Sequence, residues 1–275
     1  MLTRDLAHAL DPAALFETAI GSPPDPWQAV LLRSAAQRVI LNVCRQGGKS
    51  ITAAVIAYYE AVYRPPALVL LISPSLRQSG ELFRKCLDVH RIAGGNVPVE
   101  AESTMRLELR NGSRIVALPG TEGTTRGFSN VRLIVADEAS RIEDALYYSV
   151  RPMLAISKGR LILMSTPWGR RGFFFDAWTA GGLDWERTQV AASDCPRIGA
   201  AFLEEERRSI GEYFFAQEYN CQFRDTDDQF FGSDDIAKML DPSVKPLWPM
   251  LVPPLGVPSD TFFDADIKPL VKETP

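Results

Sequence analysis

Histidine and cysteine are scarce in this chain. Its 275 residues include two histidines, His8 and His90, and four cysteines, Cys44, Cys86, Cys195 and Cys221. No two cysteines form a CxxC pair and the histidines stand alone, so a zinc site is not expected and reduced thiols are the default. Long apolar runs are missing too. No stretch reaches the ~20 apolar residues of a membrane span. Asp5, Asp11 and Glu17 interrupt the N-terminal apolar stretches, which does not fit a secretory leader. An excess of positive charge is also absent. The net charge is −4 and the pI about 5.4, which excludes a basic protein that coats DNA by global charge. Of 30 Lys/Arg and 34 Asp/Glu, five and ten fall in 224–275, leaving 25 and 24 in 1–223. The body is near neutral and the tail acidic, so any nucleic-acid contact must use a local basic patch. No internal repeat is visible. At 46% hydrophobic, the chain suffices for one sizeable core, or one core and a small subdomain.

What is present centres on Leu41–Ser50, LNVCRQGGKS. An apolar strand runs into a tight loop, and the loop ends on Gly48-Lys49-Ser50 at the start of a helix expected over Lys49–Tyr63. That is the layout of a phosphate-binding loop. N–H groups at a helix N-terminus point at a ligand, and the helix dipole favours anions there. Gly47 and Gly48 let the backbone approach a phosphate. Lys49 would reach the β- and γ-phosphates, and the Ser50 hydroxyl would sit on Mg²⁺. The full pattern G-x-x-x-x-G-K-[ST] wants a glycine where this chain has Val43. The plainer alternative is a strand-to-helix turn followed by a surface lysine.

Val131–Glu138, VRLIVADE, is an apolar run ending in two adjacent carboxylates. Such a run suits a strand buried on both faces of a parallel sheet, and ligands bind at the C-terminal ends of such strands. Asp137 would hold Mg²⁺, directly or through water, and Glu138 would act on the attacking water as general base. The alternative is a strand ending in two solvated acids. Strand, loop and Gly-Lys-Ser followed by strand, Asp and Glu within one α/β domain together point to an ATPase.

The remaining chain fits that frame. Residues 1–20 are expected as an amphipathic helical arm, and GSPPDP at 21–26 as a breaker. Trp27-Gln28 opens a helix. Gln28 reads either as a helix-start glutamine in solvent or as a reader of adenine. Ala67–Ser73 is a buried strand, stopped by Ser73-Pro74-Ser75 ahead of a helix to about Arg91. Asn111-Gly112 marks a hairpin between Met105–Arg110 and Ser113–Leu118. Pro119–Asn130 is a polar, glycine-rich loop carrying Arg126. Ser140–Ile156 is expected as one helix, Arg160–Ser165 as a strand closed by Thr166-Pro167, Trp185–Val190 as a short strand, and Phe202–Phe223 as a helix. Eight of the 20 prolines lie in 242–275, which reads as a linker or tail. Cys44, beside Arg45 and near a helix N-terminus, is expected to favour the thiolate and to react with alkylating agents.

This set of motifs, from about Trp27 to Phe223, resembles the ATPase domain of the large terminase subunit of tailed bacteriophages, the motor that packages DNA. Cys44-Arg45-Gln46-Gly47-Gly48-Lys49-Ser50 is similar to that family's deviant phosphate loop, which accounts for the missing glycine. Asp137-Glu138 resembles its metal and base pair, Ser165-Thr166-Pro167 its coupling motif, and Trp27-Gln28 its adenine-reading motif. Residues 212–223, EYFFAQEYNCQF, resemble the end of its lid. The resemblance implies an α/β fold with a mainly parallel sheet flanked by helices, a P-loop NTPase of the additional-strand type with a small lid. It divides the chain into an arm (1–26), an ATPase core (27–183), a lid (184–230) and a linker or tail (231–275).

The resemblance also implies the cofactors ATP and Mg²⁺, and as partners double-stranded DNA, a portal protein and a small terminase subunit. It implies a homo-oligomeric ring when assembled, a monomer with weak ATPase activity when alone, no membrane association, and a place in the host-cell cytoplasm during virion assembly. It calls for an arginine finger. Arg45 would act in cis. Arg126 would act on the neighbouring subunit, or else is a solvated loop arginine. Full-length members continue into a nuclease domain, and this chain ends about where that domain would start. Asp264 and Asp266 read as tail acids, because two-metal chemistry needs several convergent carboxylates. Two other classes compete for the same residues. A two-lobed helicase would need a second lobe that the 52 residues after Phe223 cannot form. A silent nucleotide-binding module does not explain the full set Lys49, Ser50, Asp137 and Glu138.

Overall fold

Alternation of apolar side chains along a few short strands sets the layers. A computed structural model describes residues 2–93, 97–119 and 127–225, together with 235, 238 and 239. Residues 1–229 form one unit and 230–275 a second, and the elements named here belong to the first. In chain order they are α1 (Leu2–Leu10), α2 (Pro12–Ile20), α3 (Pro26–Arg33), β1 (Arg38–Val43), α4 (Lys49–Tyr63), β2 (Leu68–Ser73), α5 (Leu76–Ala93), β3 (Val99–Glu102), β4 (Arg106–Leu109), β5 (Arg114–Pro119), β6 (Leu133–Asp137), α6 (Asp144–Val150), β7 (Arg160–Ser165), α7 (Gly172–Ala180), β8 (Glu186–Val190) and α8 (Ala200–Glu218).

The strands make one eight-stranded sheet in the order β3-β4-β5-β2-β6-β7-β1-β8. From β5 to β8 every pair is parallel, while β3 and β4 add an antiparallel edge. All six residues of β2 and all five of β6 are buried. Successive side chains face opposite sides. Val39, Leu41, Val69, Leu71, Leu133, Val135, Ile162 and Met164 enter the core beneath α2 to α5. Ile40, Leu70, Ile72, Ile134, Leu161 and Leu163 enter the core on the other face, beneath α6 and α7. Each such residue contributes roughly 1.5–3 kcal/mol relative to exposure. A slip of one residue would turn a whole set to the wrong face, so the register is firmly specified.

That register places the site. Leu41 pairs with Met164 and Asn42 with Ser165 across β1 and β7, and Asp137 pairs with Met164 across β6 and β7. The loop after β1 and the acidic end of β6 therefore emerge from the same edge, with β7 as an extra strand between them. The mainly parallel α/β sheet flanked by helices agrees with the expected class.

Several local expectations change. The N-terminal helix breaks at Asp11, whose Oδ1 accepts from Ala13 N at 2.9 Å and caps α2. The segment packs onto the core through Leu15 and Phe16, and Tyr59 Oη donates to Ala9 O at 2.8 Å. The single helix expected over 140–156 is a 3₁₀ turn at Ala139–Arg141, then α6, then a second 3₁₀ turn at Arg151–Leu154. Ile142 and Glu143 are extended at the first break. At the second, Pro152 has no N–H to continue an α-helix. The helix of the C-terminal region spans 200–218 rather than 202–223, and Gly211 at φ 77° and ψ 162° kinks it. Residues 186–190, read from the sequence as part of a lid starting at 184, pair in parallel with β1 as an edge strand of the main sheet. β3 had no sequence signal, since it is short and its residues are largely exposed. Among the described residues no helix is long and apolar enough to cross a membrane.

Candidate nucleotide and metal site

The loop between β1 and α4 turns through two residues at positive φ, Gln46 at 58° and Gly48 at 94°. Gly48 has a second reason to be glycine: a Cβ there would lie 2.7 Å from Gln28 Nε2. A Cβ on Gly47 would lie 2.6 Å from Val43 Cγ1. Val43 itself, where the common pattern has glycine, is fully buried as the last residue of β1. The loop is fastened from outside. Cys44 N donates to Val190 O and Arg45 N to Glu218 O, each at 3.0 Å. Arg197 Nη2 donates to Gly47 O at 3.2 Å, while its Nη1 pairs with Asp25 at 2.7 Å.

Lys49 is buried, and its Nζ donates to Val43 O at 2.7 Å and Cys44 O at 3.1 Å. The ammonium is thus held beneath the loop, beside the first-turn N–H groups of α4 that lack intrahelical partners. Ser50 Oγ donates to Asp137 Oδ2 at 3.3 Å. Asp137 Oδ1 accepts from Glu138 N at 3.0 Å. Asp137 is 8% exposed, and its pKa is raised to about 6, chiefly by burial and then by the neighbouring Glu138, with Lys49 opposing. Glu138 sits in the left-handed region, φ 51° and ψ 42°. Such a conformation in a non-glycine residue costs of order 1–3 kcal/mol and concentrates at functional sites.

The donor set suits a hard divalent cation. It consists of a hydroxyl and a carboxylate side by side, both oxygen. Among the described residues no group of three or more His, Cys, Asp and Glu could hold a metal. The remaining ligands would come from water and phosphate oxygens, the usual manner of Mg²⁺.

The strand between contributes too. Ser165 and Thr166 are buried. Ser140 Oγ donates to Thr166 O at 2.8 Å and lies 2.7 Å from Ser165 Oγ, with Ser165 then the donor. The stretch Ser165-Thr166-Pro167 is thereby joined to the turn that follows Asp137-Glu138. Gln28 is not in solvent. It is 1% exposed, its Oε1 accepts from Asp25 N at 2.9 Å, and its Nε2 donates to Thr52 Oγ1 at 2.8 Å. Trp27 is partly buried against the same core. Arg45 is exposed and its Nε lies 3.2 Å from Glu218 Oε2. Arg126, Asp264 and Asp266 lie outside the described residues.

Sequence reasoning missed Arg141, Arg197, Ser140 and Glu218. Of these only Glu218 carried a signal, since it lies in the lid-like stretch 212–223, where the motif gave it no role.

The profile of a family described as terminase large subunit, T4likevirus-type, N-terminal, matches residues 40–238. The chain belongs to that terminase family. The large terminase subunit of Thermus virus P23-45 is 27% identical over 266 residues, covering 84% of this chain and 55% of its own length. The chain thus spans about half the length of the curated relatives it matches. Among solved structures, the large terminase ATPase domain of Thermus phage P74-26 superposes with a TM-score of 0.68 at 24% identity, covering 78% of this chain and 99% of that one. A large terminase from a thermophilic bacteriophage, in complex with ATP-gamma-S, superposes at 0.58 and 13% identity, covering 73% and 53%. At these identities the structures carry the fold alone, a mainly parallel α/β sheet flanked by helices.

One expectation is corrected here. Cys44 is fully buried, its Sγ 3.7 Å from Cys195 Sγ, and its thiol pKa is raised well above the ordinary value by burial and by Cys195. Burial outweighs the helix N-terminus, so Cys44 is no reactive thiolate. Brief iodoacetamide treatment of the native terminase chain at pH 7.5, followed by peptide mass analysis, is expected to leave Cys44 unmodified. Rapid labelling would mean that the loop is open to reagent.

Asp137 gives a second expectation, with a defined sign. Its folded pKa lies above its ordinary 3.8. Between about pH 4 and 6 the folded state holds more protons than the unfolded state, so stability falls as pH rises through that window. Asp137→Asn has no such term. In EDTA it is expected to be more stable than the parent at pH 7.5, by up to about 3 kcal/mol, with the difference shrinking towards pH 4. Thermal melts across pH 4–7.5 check this, and a pH-independent difference would contradict it.

Proposed function

We propose that this chain is the ATPase motor domain of a phage large terminase subunit, hydrolysing ATP to drive double-stranded DNA into a procapsid. The observation that carries the reading is the meeting of Ser50 with Asp137, beside the strained Glu138 and the buried Lys49. Backbone N–H groups of Gln46 to Ser50 bind the phosphates. Lys49 leaves the carbonyls of Val43 and Cys44 to pair with the β- and γ-phosphates. Ser50 and Asp137 would hold Mg²⁺, which would supply positive charge against the phosphates. Glu138 takes a proton from the attacking water. Gln28, whose amide nitrogen faces Gly48 O and Thr52, would exchange an amide contact to read adenine, with Trp27 beside it in sequence. Ser165, Thr166 and Pro167 couple turnover to movement through Ser140. α8 and its flanks serve as the lid.

Arg45 and Arg126 are the candidate fingers, each adding positive charge to the transition state. The partners are double-stranded DNA, a portal, a small terminase subunit and further copies in a ring. The place of action is the host cytoplasm during assembly. We assign no nuclease chemistry to residues 1–225.

The direct test is steady-state turnover of the purified chain, with and without DNA. Lys49→Ala is expected to lose ATP binding, since it removes a ground-state phosphate contact. Glu138→Gln is expected to keep binding and lose turnover by roughly 10²–10⁴-fold. Wild-type rates from Glu138→Gln would remove Glu138 as the base.

The two fingers separate by mixing. Arg45→Ala is expected to lower activity at every protein concentration. Arg126→Ala is expected to keep the low monomer rate and lose the rise on assembly. Mixed Arg126→Ala and Glu138→Gln chains should regain activity, because an intact arginine in one serves an intact base in the other. An inactive mixture that has assembled would make Arg126 a solvated loop residue.

A further inference from the structure

Arg141 touches three elements that meet at the site. Its Nη1 lies 3.5 Å from Glu138 Oε2, its Nη2 lies 3.2 Å from Glu218 Oε1 at the end of α8, and its Cζ stands 4.4 Å from the ring centroid of Trp168. Glu218 is shared. Its other oxygen faces Arg45 Nε at 3.2 Å, and its backbone carbonyl accepts from Arg45 N. The four side chains alternate in charge: Glu138, Arg141, Glu218, Arg45. They connect the end of the acidic strand with the phosphate loop by way of α8.

Glu138 Oε2 is buried and accepts no hydrogen bond among the described residues, so the Arg141 guanidinium is the contact that fixes it. A glutamate carboxylate has three rotatable bonds to wander over, and a general base must be aimed. Arg141 suits the task. Its planar fork meets two carboxylates at once, and stacking on Trp168 fixes the plane. Trp168 directly follows Ser165-Thr166-Pro167, so the coupling strand supplies the floor beneath the fork.

We infer that Arg141 is a positioning residue that aims Glu138, and that Glu218 holds Arg141 in place. A displacement of α8, or the departure of Arg45 from Glu218, therefore reaches the base through one guanidinium. The inference rests on the ATPase reading given above.

The test compares the parent, Arg141→Ala, Arg141→Lys, Glu218→Gln and the double variant Arg141→Ala/Glu218→Gln. It measures kcat and KM for ATP, equilibrium binding of a fluorescent ATP analogue, and Tm. Arg141→Ala is expected to lose roughly 10- to 100-fold in kcat, the cost of a misaimed group, with KM and analogue affinity within about threefold. Arg141→Lys is expected to recover part of kcat, because an ammonium can pair with Glu138 without the fork or the stacking. Glu218→Gln is expected to lower kcat in the same direction, and the double variant to lose less than the product of the single losses. A parent chain without turnover overturns the ATPase reading and the inference with it. An active parent with parental kcat in Arg141→Ala overturns the inference alone. So does a fall in kcat accompanied by a large rise in KM, weakened analogue binding, a lowered Tm and no recovery in Arg141→Lys, the pattern of a merely structural residue.

Discussion

The hydroxyl of Ser50 can meet the carboxylate of Asp137 because β1, β7 and β6 end within two residues of one another in register. Neither residue chooses its partner locally. Ser50 lies in the first turn of the helix that follows one strand, and Asp137 ends another two places across the sheet. What brings them within 3.3 Å is the parallel register, and the register is fixed by aliphatic side chains that must alternate between two cores. Chemistry at this edge is thus set by packing several residues away from it. A polar substitution in β7, far from any phosphate, would act on the site by misaligning the strands on either side.

The same packing creates an electrostatic problem. Burial at the strand end raises the pKa of Asp137, and Glu138 next to it adds like charge. A structure selected only for stability would not place two carboxylates there beside a left-handed backbone at Glu138. The compensation is partial: Lys49 opposes the shift, and Ser50 and the Glu138 N–H donate to Asp137. A divalent cation coordinated by Asp137 and Ser50 would supply what these contacts leave unmet. Such a cation would offset the cost of burying the two carboxylates.

Much of this was legible from local pattern. The helix at Lys49–Tyr63 and the strand at Arg160–Ser165 have the expected bounds, because glycines precede one and an apolar run with a following proline defines the other. Asp137 and Ser50 were readable because each lies at the junction of an element with a loop. The illegible part is long-range. Arg141 and Glu218 are 77 residues apart, and Arg197 grips Gly47 across 150. Nothing in the neighbourhood of an arginine says which carboxylate it will meet. Cys44 failed for a related reason. Its sequence neighbours suggested a charged environment, but its spatial neighbours are Cys195 and an apolar core. β8 was readable as a strand but not as a member of the main sheet, since its sequence alternates weakly and its pairing with β1 decides its place.

The departure from the common phosphate-loop pattern has a structural reading of its own. Val43 fills the place where a glycine would let the backbone turn early, and it is packed fully inside the core. The turn is postponed to Gln46 and Gly48, which carry the positive φ values. Besides the Lys49 Nζ bonds to Val43 O and Cys44 O, this loop is held from without. Val190 at the end of β8 takes Cys44 N, Glu218 at the end of α8 takes Arg45 N, and Arg197 between them grips Gly47 O. All three anchors come from residues 190–218. A loop suspended from that segment is coupled to it through these three bonds. The missing glycine and the borrowed anchors are therefore two sides of one constraint. Part of the rigidity of this loop is placed in the neighbouring segment 190–218.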